Sequence, residues 1–202
     1  MVSIAGKKQI DPKFDMTPYF SKMEKPSSYC EYVEGLPADN LHRVYHDTQY
    51  GFPIDSDDEL FGRLILEINQ AGLSWTTILK KQHHFRLAFY NFDIQKIASF
   101  GEKDIEELLD NPGIIRNRLK INAVIYNAQR VREIQREFGS FKAWLAKQQP
   151  LELSDWVKLF KKTFKFTGGE ITKEFLRSTA HIEGAHIDSC PTAKQIRKLT
   201  KS

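Results

Sequence analysis

The sequence predicts an all-α protein. Apolar residues recur at helical spacing in segment after segment, helix-capping residues precede several of these segments, and no convincing alternating run predicts a strand. The chain has 202 residues, of which 41% are hydrophobic and 28% charged, and this is enough for one substantial core. We expect a single domain of two packed helical lobes over residues 30–202. It is preceded by an N-terminal extension over residues 1–29, to which we assign no chemical role.

The predicted elements follow one another along the chain. Residues 30–53 are rich in turn-forming and aromatic residues and are expected to form a packed loop. Ser56 begins a capping box before a helix that runs through Glu67, and Ser74 caps the next helix. Further helices are expected from Asp93, from Asp104 to Asp110, over a long apolar period ending at Phe138, from Ser140, from Ser154, from Glu170 to about Thr179, and after Pro191.

Glu67 places a carboxylate on an apolar stripe. It lies two turns after Leu60, three residues after Leu64 and four before Ala71, so all four share one face of the helix. A buried carboxylate without a cation is costly or changes its pKa, and such a position is usually paired or functional. The pattern leaves open an alternative, in which Glu67 stands at the edge of the stripe and extends into solvent.

A Pro-Gly turn separates two predicted helices at residues 110–116. The sequence Asp-Asn-Pro-Gly-Ile-Ile-Arg has the form of a helix-hairpin-helix motif. Backbone N–H groups at the start of the second helix can hold a DNA phosphate, and Arg116, Arg118 and Lys120 add positive charge. The alternative interpretation is a plain connector between helices.

Two Cys–His pairs lie near opposite ends of the chain. His186 and Cys190 are spaced so that an imidazole and a thiolate can reach one cation, and Cys30 and His46 supply a second pair. Together they make the Cys₂His₂ composition of a closed structural Zn²⁺ site. The alternative is that they are unrelated core residues.

The overall charge and hydropathy restrict the partners only loosely. A net charge of +4 allows a nucleic-acid partner without requiring one. No apolar run approaches the roughly 20 residues of a membrane-spanning helix, and the N-terminus lacks the apolar core of a secretory signal. We therefore expect a cytoplasmic protein without a membrane partner.

The order of these motifs resembles one family. Tyr45-His46-Asp47, the segment from Glu67 to Trp75, Gly113 to Arg118, and His186-x-x-x-Cys190 occur in the order seen in the DNA-3-methyladenine glycosylase I family of helix-hairpin-helix DNA glycosylases. The resemblance covers about residues 30–190. It implies a monomeric repair enzyme that flips out and hydrolytically excises 3-methyladenine from double-stranded DNA containing alkylated bases, with free 3-methyladenine as product.

The resemblance also implies roles for individual residues. Glu67 and Tyr45 form the catalytic pair that hydrogen-bonds the excised base. Aromatic contact with the base is expected from Trp75, Tyr50 and Tyr32. Contact with DNA is expected from Gly72, from Leu73 as a wedge in the base stack, and from Gly113 and Arg116. A structural Zn²⁺ that joins the N- and C-terminal segments is expected on Cys30, His46, His186 and Cys190.

The sequence departs from the family pattern at several positions. Tyr50 stands where Trp is expected, Glu170 stands in place of a Thr-rich run, and the interval from Cys30 to His46 is slightly longer. One alternative is therefore a glycosylase of the same fold with a different lesion preference, and another is a zinc-stapled DNA-binding module without catalysis. Asn117 stands where a lyase would carry lysine. A monofunctional enzyme that leaves an abasic site is expected.

Overall fold

The computed structural model describes residues 26–199, and this part of the chain consists of helices and turns without strands. The predicted all-α class is confirmed. The helices are α1 Tyr29–Glu34, α2 Leu41–Thr48, α3 Asp57–Gln70, α4 Trp75–Ala88, α5 Ile94–Ile97, α6 Glu102–Asp110, α7 Arg118–Phe138, α8 Phe141–Lys147, α9 Leu153–Thr163, α10 Gly169–Ser178 and α11 Pro191–Leu199, with a 3₁₀ turn at Tyr90–Phe92. Within residues 26–199, none of these helices combines the length and apolarity needed to cross a bilayer. The predicted N-terminal extension lies outside the described residues, apart from residues 26–29.

Helix α3 is the centre of the molecule. Every residue from Leu60 to Asn69 is buried, so the helix is enclosed on all sides. It packs against α4, α7, α8 and α10. An aromatic cluster fills the space between α8, α9 and α10, and it consists of Phe141, Trp144, Phe160, Phe164 and Phe175. A polar side chain near the C-terminal end of α3 is therefore held by the core.

Most of the predicted helix starts are confirmed. Four side chains each accept a hydrogen bond from the backbone N–H three residues later, and they are Ser56, Ser74, Asp93 and Ser140. Two predicted starts were wrong. Asp104 lies inside α6 and reaches back to the N–H of Gly101 at 2.8 Å, and Ser154 lies inside α9, whose cap position is Glu152.

The predicted loop over residues 30–53 was wrong, because it contains α1 and α2. Ser28 caps α1 through the N–H of Glu31, and Asn40 caps α2 through the N–H of His42. The buried positions of the two helices have helical spacing, but they are mainly Cys, His and Tyr, and these residues do not form the aliphatic period that predicts a helix. Helix α2 packs against α1 and α4 and carries its aromatic residues to the C-terminal end of α3.

Candidate functional site

A cavity of about 690 Å³ lies at the C-terminal end of α3. Its walls come from α1, α2, α3, α4 and α10, and its lining residues are Tyr29, Tyr45, Tyr50, Glu67, Gln70, Ala71, Gly72, Trp75, Gly168, Glu170, Ile171 and Glu174. The volume is within the range of small-molecule sites and is large enough for a nucleobase. The cavity combines aromatic walls with carboxylates from two different helices.

Glu67 lies in the cavity wall and is only 5% exposed, so the alternative of a solvent-extended side chain is wrong. Burial raises the pKa of the Glu67 carboxyl to about 8, because the charged form loses its water. Arg63 opposes this rise, and the nearby Glu174 carboxylate adds to it. Much of the Glu67 population is therefore protonated at neutral pH while the cavity holds no cation.

Arg63 orients the hydroxyl of Tyr45. The guanidinium Nη1 donates to Tyr45 Oη at 2.7 Å, and its carbon lies 5.0 Å from the centre of the Tyr45 ring. Burial raises the pKa of Tyr45 well above its ordinary value, so the phenol stays protonated. Since the oxygen accepts from Arg63, the Tyr45 hydroxyl proton is available to donate to a ligand.

Aromatic rings surround this pair. The centre of the Trp75 ring lies 5.2 Å from that of Tyr45, and Tyr50 lies 5.7 Å from Tyr45. Tyr29 meets Tyr50 edge to face at 5.5 Å. Within the described residues, the indole N–H of Trp75 is buried without an acceptor. A bound ligand or water that accepts from it would remove the cost of this unpaired donor.

A second hydrogen-bonded arrangement, around the half-buried Glu174, lies at the cavity. Tyr50 Oη donates to one carboxylate oxygen at 3.1 Å, and Arg177 Nη1 donates to the other at 3.2 Å. Burial raises the pKa of Tyr50, and Glu174 raises it further. Glu170, which the sequence singled out, also lines the cavity and accepts from Lys173 at 2.7 Å.

Three residues of the site were missed from the sequence. Arg63 lies one turn before Glu67 on α3, and Glu174 lies one turn after Glu170 on α10, so helical periodicity was a usable signal for both. Tyr29 was assigned to the extension and gave no such signal. Tyr29 lines the cavity, whereas the expected Tyr32 does not.

Tyr32, which was expected to contact the base, does not line the cavity, and its side chain is 42% exposed. Its ring stacks on Tyr29 at 6.0 Å and meets His42 edge to face at 5.2 Å. In this geometry Tyr32 packs against Tyr29, which itself lines the cavity.

The residues from Gly72 to Leu73 form a turn at the rim of the cavity. Gly72 has a φ of +79°, which favours glycine, and it lines the cavity. Leu73 is 38% exposed. Gln70 closes the turn, because its side-chain amide donates to the Leu73 carbonyl at 2.8 Å and its carbonyl accepts from the Leu73 N–H at 2.7 Å.

The hairpin is closed by its own side chains. The Gly113 N–H donates to Asn111 Oδ1 at 2.8 Å and is therefore not free for a phosphate. A Cβ at Gly113 would lie 2.9 Å from the Cβ of His84, so glycine permits close packing against α4. In the described part of the chain, the backbone N–H groups of Ile115 and Arg116 have no protein acceptor.

Of the three positive charges expected at the hairpin, one is both exposed to solvent and not paired with a carboxylate of the described residues. Arg116 is exposed and forms no ion pair with the described residues. Arg118 is paired with Glu102 at 2.6 Å and with Glu106. Lys120 is buried inside the protein. Of the positive charge expected at the hairpin, that of Arg118 is therefore offset by two carboxylates and that of Lys120 is enclosed by the protein.

The two Cys–His pairs meet in space. One nitrogen or sulfur atom from each of Cys30, His46, His186 and Cys190 lies within 4.8 Å of the other three. His46 Nε2 lies 3.3 Å from the sulfur of Cys30, 3.8 Å from that of Cys190 and 3.0 Å from His186 Nδ1. Ligand atoms around a tetrahedral Zn²⁺ are roughly 3.3–3.8 Å apart at ordinary bond lengths, so these four atoms are close enough together to hold one metal ion.

Hydrogen bonds outside the cluster orient both imidazoles toward its centre. His46 Nδ1 lies 2.7 Å from Asp47 Oδ1, and His186 Nε2 lies 2.7 Å from the Tyr50 carbonyl. When these nitrogens donate, the other nitrogen of each ring presents a lone pair to its neighbour. Two lone pairs 3.0 Å apart repel unless a cation lies between them, so the donor set fits a bound metal.

The chain matches known proteins of one kind. A family model described as methyladenine glycosylase matches residues 36–156. The chain is 34% identical to DNA-3-methyladenine glycosylase 1 of Escherichia coli, covering 77% of this chain and 92% of that protein. It is 32% identical to DNA-3-methyladenine glycosylase of Haemophilus influenzae, covering 75% and 92%. A solved structure on 3-methyladenine recognition by 3-methyladenine DNA glycosylase I from Staphylococcus aureus matches with a TM-score of 0.69 and 31% identity, covering 77% and 93%.

Proposed function

The chain belongs to the methyladenine glycosylase family and is a DNA repair glycosylase, and from this premise we propose that it flips out 3-methyladenine and releases it from alkylated double-stranded DNA by hydrolysis. The observation that carries the proposal is the buried Glu67 in an aromatic cavity beside the Gly72–Leu73 turn. Hydrolysis without strand cleavage is proposed because Asn117 replaces the lysine of a lyase. We also propose that residues 30–202 form one glycosylase domain of two packed helical lobes.

The chemistry requires recognition more than strong acid catalysis. Adenine methylated at N3 in DNA is a cation, so its glycosidic bond is already weak and the base leaves neutral. Flipping the nucleotide costs a few kcal/mol, and each aromatic contact returns about 1–3 kcal/mol. The Tyr45 hydroxyl donates to the base, and Glu67 accepts from it. Arrival of a cation favours the ionised carboxylate, so Glu67 releases a proton as the base enters.

The rim of the cavity and the hairpin provide the DNA contacts in this proposal. Leu73 is the exposed apolar side chain at the rim and enters the space that the flipped base leaves. The hairpin holds a backbone phosphate through the N–H groups of Ile115 and Arg116 and through the Arg116 guanidinium. Phosphate contacts position the enzyme without reading sequence.

Replacing Arg116 with alanine is expected to weaken DNA binding equally for all sequences. One lost phosphate contact should lower the slope of log K against log salt by about 1. Binding is measured by fluorescence anisotropy at several salt concentrations. Lys103→Ala is the control, since its side chain is 91% exposed on α6. If the Arg116→Ala variant kept the wild-type salt slope, the hairpin would be only a connector between helices.

We propose that Cys30, His46, His186 and Cys190 bind one structural Zn²⁺. Four protein ligands leave no open position, so the metal would supply no chemistry to the reaction. It would connect α1 and α2 to the segment that leads into α11. The bond between His186 and the Tyr50 carbonyl links this centre to the cavity wall.

A different lesion preference within the same fold is the second candidate. The observation that favours it is the bond between Tyr50 and Glu174, which gives the cavity a second fixed carboxylate. Such a group favours bases with an additional hydrogen-bond donor. A zinc-stapled binding module would release no base.

Chromatography of bases released from methylated DNA distinguishes these functions. The purified protein is expected to release 3-methyladenine well above the rate of spontaneous loss, because the cavity matches a cationic purine. The DNA strand should stay intact until alkali is added. A different base as the main product would favour the second candidate, and no released base would leave only the binding module.

A further inference from the structure

Lys120 is a buried lysine in the first turn of α7. It is 6% exposed, and its ammonium donates to the carbonyls of Asn69 at 2.9 Å and Ala71 at 2.7 Å. These carbonyls lie at the C-terminal end of α3, where helix carbonyls lack internal partners and the helix dipole is negative. The Lys120 side chain therefore caps the central helix.

The ammonium has no carboxylate partner among residues 26–199. Burial lowers the pKa of Lys120, because the charged form has left water. A helix end is commonly closed by a backbone N–H after glycine, and this needs no buried charge. A full charge at this position suggests a role besides closing α3.

The two carbonyls immediately precede the rim turn of the cavity. Gly72 and Leu73 follow Ala71, and the remaining hydrogen bonds of this turn are local ones to Gln70. In the described structure, Lys120 makes the hydrogen bonds that connect this turn to another element. Its side chain determines where the rim turn sits.

The backbone of Lys120 is tied to the hairpin. Its N–H donates to Asn117 Oδ1 at 3.1 Å, and Asn117 directly follows Arg116. Lys120 is thus bonded through its backbone to the end of the hairpin and through its side chain to the rim turn. A single residue therefore connects the hairpin and the rim turn, the two elements that contact DNA in the proposed function.

We propose that Lys120 is a positioning residue that holds the Gly72–Leu73 turn at a fixed distance from the hairpin, so that Leu73 meets the base stack at the nucleotide whose backbone the hairpin holds. This inference rests on the proposed function. Lys120 touches neither the base nor the reacting atoms, and it acts through the turn.

Lys120→Met keeps the length of the side chain and removes the charge and the donors. We expect affinity for undamaged DNA to stay within about twofold, because Arg116 and the hairpin are unchanged. Base opening, followed by the fluorescence of 2-aminopurine beside the lesion, should fall. Single-turnover release of 3-methyladenine should fall at least about tenfold per folded molecule, since a small misplacement is costly to rate.

Two further variants separate positioning from folding and from charge. Lys120→Arg keeps a cation and several N–H donors, so base opening should recover in part even if Lys120→Met folds poorly. Lys103→Met removes one lysine charge from an exposed position on α6 and should behave as wild type.

The outcomes are distinguishable. If Lys120→Met opens and releases the base at the wild-type rate per folded molecule, Lys120 is only a helix cap and the inference is wrong. If Lys120→Arg folds but opens the base no better than Lys120→Met, the inference is also wrong. If the wild-type protein releases no base, the proposed function fails, and base opening alone then decides the role of Lys120.

Discussion

Glu67→Gln is expected to slow base excision and to stabilise the fold at the same time. Glutamine keeps the shape and one acceptor of Glu67 but has no charge to complement a cationic base. Single-turnover release of 3-methyladenine should fall by about tenfold to a hundredfold, which corresponds to about 1.4–2.8 kcal/mol of transition-state stabilisation. Discrimination against ordinary adenine should also weaken. Glu67→Ala should lose more, because it also removes the acceptor.

The stabilisation follows from the raised pKa of Glu67. The ordinary pKa of a glutamate is near 4.5, and burial raises that of Glu67 to about 8. The folded state therefore holds a proton that the unfolded state releases between these values. This contribution to stability is complete below the unfolded pKa and is lost as pH rises through the folded pKa, by about 1.4 kcal/mol per pH unit. Glutamine has no such loss.

Thermal unfolding from pH 5 to 9 measures this effect. The advantage of Glu67→Gln over the wild type should grow between about pH 5 and pH 8. Glu59→Gln is a matched control on the same helix, because the Arg86 hydrogen bond lowers the pKa of Glu59 and its loss should destabilise the protein. If Glu67→Gln unfolds more easily and turns over normally per folded molecule, Glu67 is part of the scaffold.

His186→Ala is expected to remove the metal and to lower the melting temperature strongly. The ligands come from α1, α2 and the segment before α11. Loss of the metal would therefore disconnect these segments and remove several kcal/mol of tertiary stabilisation. For a chain of this size the shift should be about 10 °C or more. Base excision should fall as well, because Tyr50 loses the hydrogen bond from His186.

Metal analysis of the purified protein accompanies the melting curves. We expect one Zn²⁺ per wild-type chain and a chelator effect that matches the effect of the variant. His83→Ala is the control, because this histidine is exposed on α4. A His186→Ala variant that keeps both its metal and its melting temperature would contradict the zinc proposal, as would a wild-type chain without stoichiometric metal.

Local signals explain which parts of the fold were predictable. Helices α3, α4 and α7 were predicted because each has an apolar period, and a capping serine also marks the start of α3 and of α4. Helices α1 and α2 were not, since their buried positions carry His, Tyr and Cys, whose burial depends on partners elsewhere in the chain.

The site was predictable only in part, for a similar reason. The spacing of its own helix placed Glu67 on the apolar stripe, but only the packing of the other helices around α3 decides that the carboxyl is buried. Likewise, the sequence does not show that Lys120 points inward, because its acceptors are the carbonyls at the end of α3. The bond between Tyr50 and Glu174 joins residues 124 positions apart and has no local signature.

The pH dependence of kcat/KM for 3-methyladenine release tests the role of Glu67 most directly. This parameter reports ionisations of the free enzyme, and the cationic base requires the ionised carboxylate. Wild-type kcat/KM is expected to rise from pH 6 towards a midpoint near 8. In Glu67→Gln the value should be lower and the rise absent. A wild-type profile without this rise, or the same rise in Glu67→Gln, would contradict the claim that Glu67 complements the charge of the base.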